Sequence, residues 1–244
     1  MKKLFFVMAA VAALLTSCSK DDTFGGPTRG KVTFEVSTPE LATRAYGDGQ
    51  TAKVLKYAVY DMIEEANGKS VYEGSTQFAN NSLTTTVSID LVEGRKYSVI
   101  FWAESENSPY TFDVEDKTVS YTNVNALTAN NENYDAFFAY VPEDKVKVGQ
   151  VVGVDLKRPF AQLNIATNDA VKAEALGVVV ENTAVTVDGV YTSFNLATGE
   201  VEGQPTTVTF ASAPQIPDNE TIEGLENYDL LSTNYVLVNL EKLV

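Results

Sequence analysis

Reactive side chains are scarce in this chain. One thiol, Cys18, serves 244 residues, and there is no histidine. Without imidazole, Ser-His-Asp and Cys-His nucleophilic catalysis and histidine-based zinc sites are excluded. A single cysteine has no partner for an intrachain disulfide. Carboxylates remain, with 33 Asp and Glu against 18 Lys and Arg and a net charge of −15. Paired acids can hydrolyse glycosidic bonds, but among so many acids pairs arise by chance, and none stands out. The same balance argues against nucleic acid as a partner, since neutralising phosphates needs clustered Lys and Arg. The chemistry therefore predicts a non-enzymatic protein without catalytic residues, metal ligands or cofactor.

The surroundings of Cys18 give the thiol a use. Lys2 and Lys3 precede an apolar run from Leu4 to Leu15, which small residues close. That pattern describes a secretory signal peptide over residues 1–17, too short to cross a hydrocarbon layer of about 30 Å. Leu15-Thr16-Ser17-Cys18 resembles the lipobox of bacterial lipoproteins, which implies cleavage before Cys18 and lipid on its sulfur; the alternative is an ordinary signal with an incidental cysteine. Ser19-Lys20-Asp21-Asp22 resembles the acidic tag of surface lipoproteins of the Bacteroidota, which implies the outer face of the outer membrane. Acyl chains contribute about 0.8 kcal/mol per buried methylene, enough in multiple copies to hold a domain at a membrane. No later apolar run approaches the length of a membrane span.

Behind the anchor, the chain reads as an all-β protein. Residues 19–30 form a polar tether containing Gly and Pro. Lys31–Ser37 alternates, with Val32, Phe34 and Val36 on one face, and Pro39 ends the strand. Lys53–Asp61 follows, with Leu55, Tyr57 and Val59 on one face and Val54, Lys56, Ala58 and Tyr60 on the other. Leu83–Leu91 alternates cleanly, and Lys96–Ala103 contains Ile100, Phe101 and Trp102 in succession, as in a strand covered on both sides. Shorter β segments are predicted near Val71–Tyr72 and at Tyr110–Phe112, Thr118–Tyr121, Ala136–Val141, Val152–Leu156 and Ala161–Ile165. Thr167–Leu176 reads as a connecting helix, with Asn168 or Asp169 as cap and Gly177 as stop. Beyond it, β segments are predicted at Val178–Val180, Val185–Val187, Tyr191–Leu196, Thr206–Ala211 and Tyr235–Leu240. Such spacing favours a sandwich over a parallel α/β sheet. It divides the chain into signal peptide 1–17, tether and first strand 18–44, an N-terminal β-sandwich 45–166 and a smaller or incomplete β domain 167–244.

In order and spacing, four features resemble the fimbrillins, the subunits of type V pili in Bacteroidia. They are the lipobox, the strand Lys31–Ser37, Thr43-Arg44-Ala45-Tyr46-Gly47 followed by K-V-L-K-Y-A-V-Y-D, and R-P-F-A-Q-L-N-I at Arg158–Ile165. The match covers most of residues 1–166 and thins beyond. It implies a transthyretin-like N-terminal sandwich and a lipoprotein precursor at the outer membrane. An arginine-specific surface protease would cut the Arg44–Ala45 bond and remove the lipid together with the strand carrying Val32, Phe34 and Val36. Another fimbrillin subunit would then fill the groove by donor-strand exchange. The last residues, N-Y-V-L-V-N-L-E-K-L-V, read either as a donor strand or, preferably, as an internal strand. The competing expectation is a surface glycan-binding lipoprotein, in which Trp102 and the tyrosines would stack on sugar; the position of Trp102 within Val99–Ala103 reads instead as core. A carboxylate hydrolase ranks third.

Overall fold

The computed structural model describes residues 27–39, 48–63, 69–79, 82–214, 224 and 226–239. The first strands in chain order are β1 (Arg29–Ser37), β2 (Val54–Asp61), β3 (Ser70–Gln77), β4 (Thr84–Val92) and β5 (Tyr97–Glu104). They are followed by β6 (Tyr110–Asp113), β7 (Thr118–Tyr121), β8 (Phe137–Val141), β9 (Val151–Asp155) and β10 (Phe160–Thr167). After one helical segment, α1 (Ala170–Ala175), come β11 (Asn182–Val190), β12 (Ser193–Asn195), β13 (Glu200–Glu202), β14 (Thr206–Pro214) and β15 (Asp229–Leu237). The fold is all-β.

The architecture follows from the two-sided apolar strands. The sheet β3-β2-β5-β8 is a wall with a core on each side. Because side chains alternate along a strand, β2 sends Leu55, Tyr57 and Val59 into one core and Ala58 and Tyr60 into the other. Likewise β5 divides Val99, Phe101 and Ala103 from Ile100 and Trp102, and all of its residues are buried.

The sheet β4-β1-β9 closes the first core. Val32, Phe34 and Val36 from β1 and Val87, Ile89 and Leu91 from β4 face the wall, while polar residues alternate outward. The second core is closed by β13-β12-β7-β6 and the pairs β10-β15 and β11-β14. These supply Val119, Phe160, Phe194, Phe210 and Tyr235, and Leu196 joins them just after β12. That core therefore joins residues from both sides of Ala166.

Local departures from the sequence reading have local causes. The helix is shorter than Thr167–Leu176, because β10 keeps Thr167 in a strand. Asp169 sits at the cap position without capping, its carboxylate accepting the Thr167 hydroxyl instead. Val178–Val180 is not a strand. The turn at Gly177 (φ 83°) brings Val178 N–H back to the Ala173 carbonyl at 2.9 Å, and no neighbouring strand pairs with these β-branched residues. β15 starts at Asp229, six residues before the expected Tyr235, because its buried Ser232, Thr233 and Asn234 carry no apolar signal. β13 is a short Glu-Val-Glu segment that pairs with β12 and gives almost no periodicity.

Candidate functional site

β1 is the element whose setting has functional content. It lies in the middle of its sheet, antiparallel to β4 and parallel to β9. Its inward row is Gly30, Val32, Phe34 and Val36, of which Val32, Phe34 and Val36 are 0% exposed. Phe34 meets Phe101 edge-on, with ring centroids 5.3 Å apart. Burying each of these apolar side chains contributes roughly 1.5–3 kcal/mol.

Hydrogen bonds run along both flanks of the strand. On the β9 side, Thr33 N–H donates to the Gln150 carbonyl at 3.0 Å, and Gly149 N–H donates to the Lys31 carbonyl at 2.9 Å. Near the end of β1, Leu156 N–H donates to the Ser37 carbonyl at 2.8 Å, and the Ser37 hydroxyl to Asp155 Oδ1 at 2.7 Å. Thr38 N–H reaches the Leu83 carbonyl at 2.9 Å, tying the exit of β1 to the entry of β4. Taking β1 away would bare an apolar trough and two unpaired sheet edges, both costly in water.

The chain leaves β1 and enters β2 at one place. A Cβ built on Gly49 would lie 3.8 Å from the Pro39 carbonyl oxygen, so the two residues are neighbours across the segment between them. The Gly49 side is held to the body. Gly49 N–H bonds to the Asp135 carboxylate, and the Thr51 hydroxyl donates to the Glu132 carbonyl at 3.0 Å.

Arg158, the first residue of R-P-F-A-Q-L-N-I, anchors the same corner. Its Nε and Nη2 donate to the two oxygens of buried Asp135 at 2.7 and 2.8 Å. Burial pushes the Asp135 carboxyl up, and the guanidinium opposes that shift. The motif thus contributes an ion pair at its start, then Phe160 in the second core.

Trp102 is 0% exposed, and its indole N–H donates to Glu104 Oε2 at 2.8 Å. It presents no face to a ligand. No group of three or more metal-ligating side chains exists among the described residues. A depression of about 590 Å3 near the start of β1 has both signs of charge on its walls, from Arg95, Lys96 and Lys147 to Glu93, Glu143 and Asp144. That mixture selects no ligand.

The sequence profile of a family of unknown function, DUF6562, matches residues 25–244. The protein is a member of DUF6562. No curated protein matches its sequence. Among solved structures, the DUF6562 chain is similar to the C-terminally truncated tip fimbrial protein Mfa3 of Porphyromonas gingivalis. The two are 12% identical with a TM-score of 0.50, over 86% of this chain and 69% of that one. A candidate cell adhesion protein of Bacteroides ovatus ATCC 8483 aligns over 86% of this chain and 78% of its own, at 14% identity and a TM-score of 0.51. A candidate adhesin of the same strain aligns over 95% and 75%, at 11% identity and a TM-score of 0.50. At such identities the likeness is one of fold, and the fimbrillin resemblance holds at that level.

Of the residues singled out in the DUF6562 sequence, Val32, Phe34 and Val36 come together as the buried row of β1. Cys18, Arg44 and Ala45 lie outside the described residues. Residues 234–237, part of the terminal segment with two readings, pair within the fold as the end of β15 against β10. The pairing of β1 with β9 had no signal in the sequence, since alternation reveals which side chains face inward but not which strand lies alongside.

Proposed function

We propose that this DUF6562 protein is a non-enzymatic, adhesive subunit of a cell-surface fimbria. It is exported as a lipoprotein on Cys18 to the outer membrane, cut after Arg44 by an arginine-specific surface protease and assembled with other fimbrial subunits by strand replacement in the β1 groove. The observation that carries the reading is the central place of β1 between β4 and β9, with Val32, Phe34 and Val36 fully buried. A strand so placed can leave without interrupting any other strand, since a cut within residues 40–47 separates β1 from β2 alone. Its departure leaves a site that only another extended segment satisfies, through backbone hydrogen bonds and alternating apolar pockets. The shared fold of the tip fimbrial protein Mfa3 and the candidate adhesins agrees with this use. A glycan-binding lipoprotein with Trp102 as its platform loses support from the burial of that indole.

The test is intact mass and N-terminal sequencing of protein taken from its native cell surface. The expected result is a chain that starts at Ala45 and carries no lipid. A start at acylated Cys18, with Arg44 intact in the presence of the protease, would overturn the strand-release step.

A further inference from the structure

The inward row of β1 begins with a residue that has no side chain, and the reason is local. Gly30 stands opposite Leu91 on β4, at the same parity as Val32, Phe34 and Val36. A Cβ built there would fall far inside van der Waals contact with Val148 Cγ1, and 3.8 Å from Val148 Cβ. Val148 belongs to the segment that leads into β9 and packs against the first core. Its neighbour Gly149 donates to the Lys31 carbonyl at 2.9 Å, so the backbone there is tied to β1 and cannot readily withdraw. The trough is therefore closed at the Gly30 position and open to a large ring at the Phe34 position.

This closure solves a problem that alternation leaves unsolved. A slip by one residue turns every apolar side chain outward and is strongly opposed. A slip by two keeps the apolar face inward. In β1, either two-residue slip would bring Thr28 or Val32 over Val148, whose methyl group would have to shift to admit a Cβ. We infer that the Gly30–Val148 contact is a register stop, and that the groove selects a replacement strand of pattern Gly-x-apolar-x-aromatic-x-apolar. This rests on the strand-replacement reading above. β15 is not that strand, because through Leu237 it is already paired with β10.

Two measurements separate this inference from the reading beneath it. In the uncut chain, Gly30→Val is expected to lower the urea midpoint, Val148→Ala to restore part of that loss, and Lys31→Val, on the outward face, to leave it unchanged. The absence of coupling between Gly30→Val and Val148→Ala would overturn the register stop, whatever the outcome with peptides. The second measurement uses chain cut at Arg44 and challenged with a labelled peptide of residues 28–38. The same peptide carrying Gly30→Val is expected to bind at least about tenfold more weakly, as overpacking of a tight site predicts, and to recover in Val148→Ala protein. Equal binding of the two peptides would overturn the selection rule. Entry of a peptide of residues 234–244, which has no glycine, as tightly as residues 28–38 would also overturn the selection rule. Failure of all peptides, with coupling intact in the uncut chain, would count against strand replacement while upholding the register stop.

Discussion

Buried tyrosine hydroxyls set an alkaline pH response. Burial pushes the phenols of Tyr110, Tyr121 and Tyr235 up, all within the second core. Above about pH 10 the unfolded chain releases these protons while the folded chain keeps them. The folded state then binds more protons than the unfolded, so this stability is complete below about pH 10 and declines as pH rises further. Tyr110 also donates to the Tyr134 carbonyl at 2.7 Å. Tyr110→Phe leaves that carbonyl unpaired and is expected to cost about 1–3 kcal/mol near neutral pH. It should also flatten the alkaline decline, as read from urea midpoints on either side of about pH 10. An unchanged slope would acquit the Tyr110 phenol.

The strands differ in how much depends on them. Phe34→Ala on β1 removes a fully buried ring that touches Phe101, and is expected to cost roughly 3–5 kcal/mol in chemical denaturation. Tyr72→Ala on β3, where a half-exposed ring stacks on Tyr57 with centroids 6.1 Å apart, is expected to cost less, about 0.5–1.5 kcal/mol. The same contrast governs what could be read in advance. β1, β2, β4 and β5 were legible because each buries a regular face, and two buried faces left the unbroken Ile100-Phe101-Trp102 run. β3 was recognised only near Val71 and Tyr72, because much of the strand is solvent-exposed and its residues need not alternate. Arg158 lies in a legible motif, but its partnership with Asp135 spans residues that no local pattern connects. Gly30 passed for part of the tether, since a glycine before a strand looks like a linker until Val148 is seen opposite it.

At the scale of the molecule, two cores share one wall, and they respond differently to loss. Removing β1 takes the central strand from one wall of the first core and no residue from the second. A chain stopping at Ala166 would instead lose Phe194, Leu196, Phe210 and Tyr235 from the core that contains Trp102. It is expected to bind a hydrophobic dye and to melt without a cooperative transition, whereas chain cut at Arg44 should keep one; cooperative melting of the shortened chain would contradict this. The central place of β1 has a further, mechanical consequence. Pulled along its own axis from residue 28, β1 loads its bonds to β4 and β9 together, in shear. An edge strand pulled sideways would instead peel one bond at a time. Under the proposed processing, the strand is a rivet before cleavage, strong against tension and removable by a single severed bond.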